Sequence, residues 1–204
     1  MTQPDNTSHK HNPEADLALI RSMMAAGRRR AGVDGAHLIL WGFLLMATFF
    51  IQYASVVGYL PPIQSILWGV TIIIGWSGSM ILGRKMERSP QESNPALTAY
   101  VSAWLAVGIT MLLHFTTSLL TQNFDPRAST MLSTGVFGVA FFVMAQVLGL
   151  RPFLLVAAGW WLILAYVVQL TRYPVEMLLV MGVACGALIL VPGLFLRRLN
   201  TTGQ

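Results

Sequence analysis

Charge is absent from five long stretches of this 204-residue chain. No Asp, Glu, Lys or Arg occurs in 35–83, 93–124, 128–150, 152–171 or 177–196, and each stretch is rich in Leu, Ile, Val, Phe, Met and Trp. About 20 apolar residues make one bilayer-crossing helix. Inside hydrocarbon the backbone must satisfy its own hydrogen bonds, which leaves a helix as the natural form for such a run. The first interval holds two spans, divided at Pro61-Pro62. The spacing therefore predicts six transmembrane helices, at 37–58, 62–83, 96–120, 129–149, 152–171 and 174–196. A β-barrel would need ten-residue alternating segments, and these runs are continuously apolar instead. Composition agrees. Only 10% of the residues are charged, where soluble domains carry about 25%.

Six spans put both termini on one side, and the basic residues choose which. With the termini inside, the cytoplasmic segments hold Lys10, Arg21, Arg28, Arg29, Arg30, Arg84, Lys85, Arg88, Arg151, Arg197 and Arg198. The outer loops hold only Arg127 and Arg172. This positive-inside asymmetry predicts an all-α, six-transmembrane-helix bundle with both termini cytoplasmic. It also accounts for the net charge of +5 without invoking nucleic acid, since no basic domain lies outside the membrane to read one. The first apolar run is long enough to span and lacks a small-residue cleavage site, so it reads as a retained signal anchor. The outer connections, such as "VVGYLPP" and "TQNFDPRAS", are too short to fold into a domain.

Ahead of the first span, residues 1–11 are polar, with too little apolar content to order them. Residues 12–30 read as a short amphipathic cytoplasmic helix. Asn12 caps it, Pro13 sits in its first turn, and Glu14 and Asp16 lie at the positive end of its dipole. Leu17, Ile20 and Met24 form a stripe, and Arg28, Arg29 and Arg30 close the helix. Such a helix suits anionic lipid headgroups or a cytoplasmic protein partner docked on the apolar stripe. The chain then divides into a polar tail at 1–11, this helix at 12–30, the transmembrane domain at 37–196 and a cytoplasmic tail at 197–204.

"DLALIRSMM", then "HLILWG" opening the first span and "IQY" near its end, carry a resemblance. Residues 16–53 resemble the start of a family of small, uncharacterised multi-span bacterial membrane proteins. Those proteins have an "IRSMM"-like helix before a Trp-Gly-containing first span. The resemblance implies a bacterial inner membrane and no particular activity.

Inside the membrane, Gly75, Ser77, Gly78 and Ser79, Gly135 and Gly138, and the Gly182/Gly186 pair mark faces where helices approach closely. Contacts within the chain are the first expectation for these faces, and a homo-oligomer the second. Trp68, Trp104, Trp160 and Trp161 lie deep in the spans and read as packing residues. Cys185, the single cysteine, reads as a small buried packing residue.

Enzyme motifs are missing. No HExxH, G-x-S-x-G or phosphate-cradling glycine loop occurs, and no carboxylate lies deep in a span. No enzymatic activity, cofactor or metal is expected from the residues. The one unusual feature is "GITMLLHFTTSLL" in the third span. Thr110, His114, Thr117 and Ser118 share a helix face at spacings of three and four. Gln52 and Gln64 from the first two spans lie at similar depth, so a polar pocket around His114 is one expectation. The other, which the residues favour, is a histidine that hydrogen-bonds a neighbouring helix and does nothing further. Two functions follow. The first is a non-enzymatic interaction, anchoring or signalling component in the lipid bilayer. The alternative is a small-solute channel or transporter lined by the polar face around His114.

Overall fold

A computed structural model describes residues 35–87 and 95–201. The amphipathic 12–30 segment, with Leu17, Ile20, Met24, Arg28, Arg29 and Arg30, lies outside them. The described elements are all helical: α1 (Ala36–Val57), α2 (Gln64–Glu87), α3 (Pro95–Leu120), α4 (Pro126–Leu148), α5 (Pro152–Gln169), α6 (Met177–Cys185), a π turn (Gly186–Leu190) and α7 (Val191–Thr201). The last three form one continuous span. Six helices are thus long and apolar enough to cross a membrane, and the chain is an all-α, multi-pass membrane protein. Its surface fits this reading: Leu119, Leu155, Leu162 and Ile66 are each at least 70% exposed, where a soluble fold would bury many of them.

Local chemistry sets the helix ends. Gly58 and Gly149 take left-handed conformations (φ 95° and 66°) and stop α1 and α4, each folding its N–H back onto the last turn. The α4 helix begins at Pro126, three residues earlier than the apolar pattern predicts. Asp125 caps it by accepting the Arg127 N–H at 2.8 Å, and Pro126 fits the first turn, where no N–H is needed. The sixth span has a local cause for its π turn. Pro192 has no N–H, and in an unbroken α-helix its ring would press on the Leu188 carbonyl. The wider turn ahead of it is closed by Val191 N–H bonding to the Gly186 carbonyl, five residues back.

The spans are arranged as an open ring. Helix α2 packs extensively on α1, α1 on the sixth span, α5 on α4, and α4 on α3, while α2 and α3 make no extensive backbone contact with each other. Tight glycines set the α1 seam: a Cβ on Gly42 would come within 2.5 Å of the Leu190 backbone nitrogen, and one on Gly193 within 2.8 Å of that of Ile39. Gly75 and Gly78 of α2 face Trp41 and Leu40 of α1, Gly138 faces Trp161, and Gly182 and Gly186 face Phe50 and Met46. In lipid, where apolar surface gains little by leaving tails for protein, this closeness is the main source of helix association. The densest core lies between α4, α5 and the sixth span, around Phe137, Phe141, Phe153, Trp160, Met181, Cys185 and Ile189.

Candidate functional site

The gap in the ring becomes a cavity of about 830 Å³, walled by α1, α2, α3 and α4. Four tryptophans line it: Trp41 from α1, Trp68 and Trp76 from α2, and Trp104 from α3. Leu45, Phe49, Ile72, Val107, Met111 and Phe137 fill the wall between them. Its α3 wall extends from Thr98 to Phe115, about 25 Å at the helical rise. Helices α2 and α3 meet across it only through side chains. The Trp68 and Phe115 rings stack with centroids 5.7 Å apart, and Trp76 lies 3.3 Å from where a Gly108 Cβ would sit. Met80, Val101, Leu105 and Leu112 both line the cavity and are 45–61% exposed, so it opens sideways between these two helices.

Polar groups in the wall are largely bonded to one another. Trp41 Nε1–H donates to Ser79 Oγ at 2.9 Å, and Trp68 Nε1–H to Gln52 Oε1 at 3.1 Å. Thr71 donates to the Leu67 carbonyl at 2.9 Å, which leaves its oxygen to accept from Thr48 at 2.6 Å. Toward the Asp125 end, Ser129, Thr130 and Ser133 line the wall and donate to the Asp125, Pro126 and Thr130 carbonyls. Tyr173, on the turn before α6, meets the Thr130 hydroxyl at 2.6 Å. Burial pushes the Tyr173 phenol above its ordinary value, and the Thr130 bond draws it partway back. Trp104 Nε1 is shielded and has no hydrogen-bond partner. The wall therefore offers apolar and aromatic surface over most of its length. Arg84 is the one Asp, Glu, Lys or Arg side chain among the described lining residues, and it lies at the other end with His37, Ser79 and Thr98.

The residues singled out from sequence fall in different places. Gln52 lines the cavity, while His114, Thr110, Thr117, Ser118 and Gln64 do not. His114 Nε2 lies 2.7 Å from Ser129 Oγ. Ser129 Oγ also lies 2.8 Å from the Asp125 carbonyl, so the serine hydroxyl links the imidazole to the start of α4. The ring ties α3 to α4 behind the cavity wall. Thr117 is exposed, with its carbonyl accepting the Thr121 hydroxyl at 2.8 Å; Ser118 is buried, Thr110 half-buried, and Gln64 begins α2. No group of three or more His, Cys, Asp or Glu is placed to hold a metal among the described residues. The cavity tryptophans were legible one at a time but not as a set. Their signal is the α2 stripe of Trp68, Thr71, Ile72, Trp76, Ser79 and Gly83, a single helix face that mixes aromatic and small residues.

Comparison of the chain with protein-family models, curated proteins and solved structures gives no match.

Proposed function

We propose that this membrane protein is non-enzymatic and acts by binding: an apolar or amphipathic small molecule enters from the bilayer between α2 and α3 and occupies the interhelical cavity. One observation carries the reading, a cavity of about 830 Å³ lined mainly by tryptophan, phenylalanine and aliphatic side chains. That size is typical of small-molecule sites. Water gains little from such walls, whereas a hydrocarbon guest exchanges lipid contacts for protein contacts at small cost. An interaction, anchoring or signalling role belongs to the same non-enzymatic class, with the guest as the thing sensed or held. On this reading the Arg84 end faces the cytoplasm, as the distribution of basic residues suggests.

A small polar solute fits the site less well. The hydroxyls of the wall are engaged with backbone carbonyls and the Gln52 amide with the Trp68 indole, and most of the lining is apolar. The test uses protein held in amphipol, free of detergent, and titrated with 1-bromododecane, whose bromine quenches nearby indoles. Tryptophan quenching should saturate at one equivalent. Gly108→Leu and Val107→Phe, which fill the cavity from α3, should remove the saturable phase. Unsaturable quenching of equal strength in all three proteins would refute the proposal.

A further inference from the structure

The cavity has a shape and a polarity that narrow the guest. The lining is long, running about 25 Å along α3 from Thr98 to Phe115. That length and a mainly apolar lining match an extended hydrocarbon chain. The cavity's two ends differ. Near the Asp125 end the lining carries no charge: Phe124, Pro126 and the stacked Trp68 and Phe115 stand beside the hydrogen-bonded Thr130 and Tyr173 hydroxyls. At the opposite end the exposed Arg84 reaches the lining. Arg151, Arg197 and Arg198 follow or end spans at that same face of the bundle. The sideways opening adds the last element. A chain already in the bilayer can slide between α2 and α3 past Met80, Val101 and Leu105 without its head group leaving the interface.

We propose that the cavity holds one acyl chain of an anionic phospholipid from the leaflet at the Arg84 end, with the lipid phosphate at the Arg84 guanidinium. A guanidinium matches phosphate oxygens in geometry and charge, and it stays charged at any working pH. The chain beyond it meets mainly aromatic and aliphatic walls, with the hydroxyls among them already hydrogen-bonded. A zwitterionic lipid would present the same chain but bring a cation beside Arg84. This assignment rests on the binding role proposed above and adds the head group, its leaflet and the direction of entry.

Native mass spectrometry of the full chain, loaded with phosphatidylglycerol or phosphatidylcholine of identical acyl chains, tests it. One phosphatidylglycerol should stay bound, retained about fivefold better than phosphatidylcholine, the factor expected from one basic residue at a lipid surface. Arg84→Gln, an exposed change that leaves the helix contacts alone, should bring the two lipids to equal retention while a chain still binds. Gly108→Leu and Val107→Phe should lose both lipids. Equal retention of the two lipids by the unaltered protein would overturn the head-group assignment and leave the cavity's binding role standing. Equal retention by unaltered and cavity-filled proteins would overturn both. If one plugged variant fails to fold, the other and Arg84→Gln still decide the outcome.

Discussion

The indole of Trp68 and the ring of Phe115 stack across the gap between α2 and α3, 5.7 Å between centroids and 29° between planes. They meet where the two helices have no extensive contact of their own. Trp68 is fixed from behind by its bond to Gln52 and by an edge-on contact with Phe49 at 5.4 Å. The pair bridges α2 and α3 in the cavity wall, with Trp68 held by α1.

Trp68→Ala should remove that bridge. Lost stacking is worth about 0.5–1.5 kcal/mol beyond packing, so thermal stability in detergent should fall. The larger effect should be kinetic, with faster release of a bound chain measured by exchange into empty nanodiscs. Trp68→Phe keeps a ring at the same place and should release its guest at a rate near that of the unaltered protein. Identical release rates in all three would show that the stack closes nothing.

His114→Leu should cost little. Interhelical hydrogen bonds in membranes average about 0.6 kcal/mol, and Ser129 keeps its bond to the Asp125 carbonyl. Saturable quenching by bromododecane should be unchanged, because His114 stands outside the lining. Loss of binding with an unaltered melting profile would give this histidine a working role after all.

Trp104 carries an indole N–H with no partner although the ring packs edge-on against Phe141 at 5.2 Å. A buried unpaired donor costs about 1–3 kcal/mol. Trp104→Phe should therefore lie within about 1 kcal/mol of the original stability in a detergent unfolding titration, its smaller volume offset by the lost N–H. Trp104→Ala should lose more, about 3 kcal/mol, since it removes the ring contacts with Phe137 and Phe141 as well. Equal losses for the two would mean that the N–H has no cost.

How much of this could be read in advance follows from the physics of each feature. The spans were legible because a charge in the bilayer is expensive, so its absence over twenty residues is informative without any neighbour. The glycines of α2, α4 and the sixth span were legible for a similar reason: small residues mean little inside hydrocarbon except as contacts. Gly42 and Gly193 were not singled out, although the seam between α1 and the sixth span depends on them, because each stands without an obvious small partner in sequence. The early start of α4 was hidden because Arg127 interrupts the apolar pattern while Asp125 and Pro126 begin the helix. The cavity was not legible at all. It is the result of two helices that do not meet, and pairing between distant helices has no local signature. His114 drew attention for its chemistry, while its neighbour in space, Ser129, was a plain serine fifteen residues away.

Tyr173 supplies a pH-dependent link between the turn before α6 and the start of α4. Its phenol is raised by burial, so the folded state holds the proton more tightly than the unfolded chain does. The resulting stability is complete below the ordinary phenol value of about 10 and is lost as pH rises through the higher folded value. Tyr173→Phe should lower stability by about 1 kcal/mol at pH 7 and flatten the decline above pH 10, read from melting curves across that range. An unchanged decline in the variant would assign it to other groups.

The seam of Gly42 against Leu190 and Gly193 against Ile39 has a consequence for how the protein is made. Helix α1 precedes the other five described spans in the chain, yet its closest backbone neighbour is the sixth. Until the sixth span arrives, α1 has α2 as its extensive partner and presents a bare glycine groove to lipid. The ring can take its final form only once the sixth span is in place. A nascent chain halted before Met177 has five spans, with its first helix still waiting.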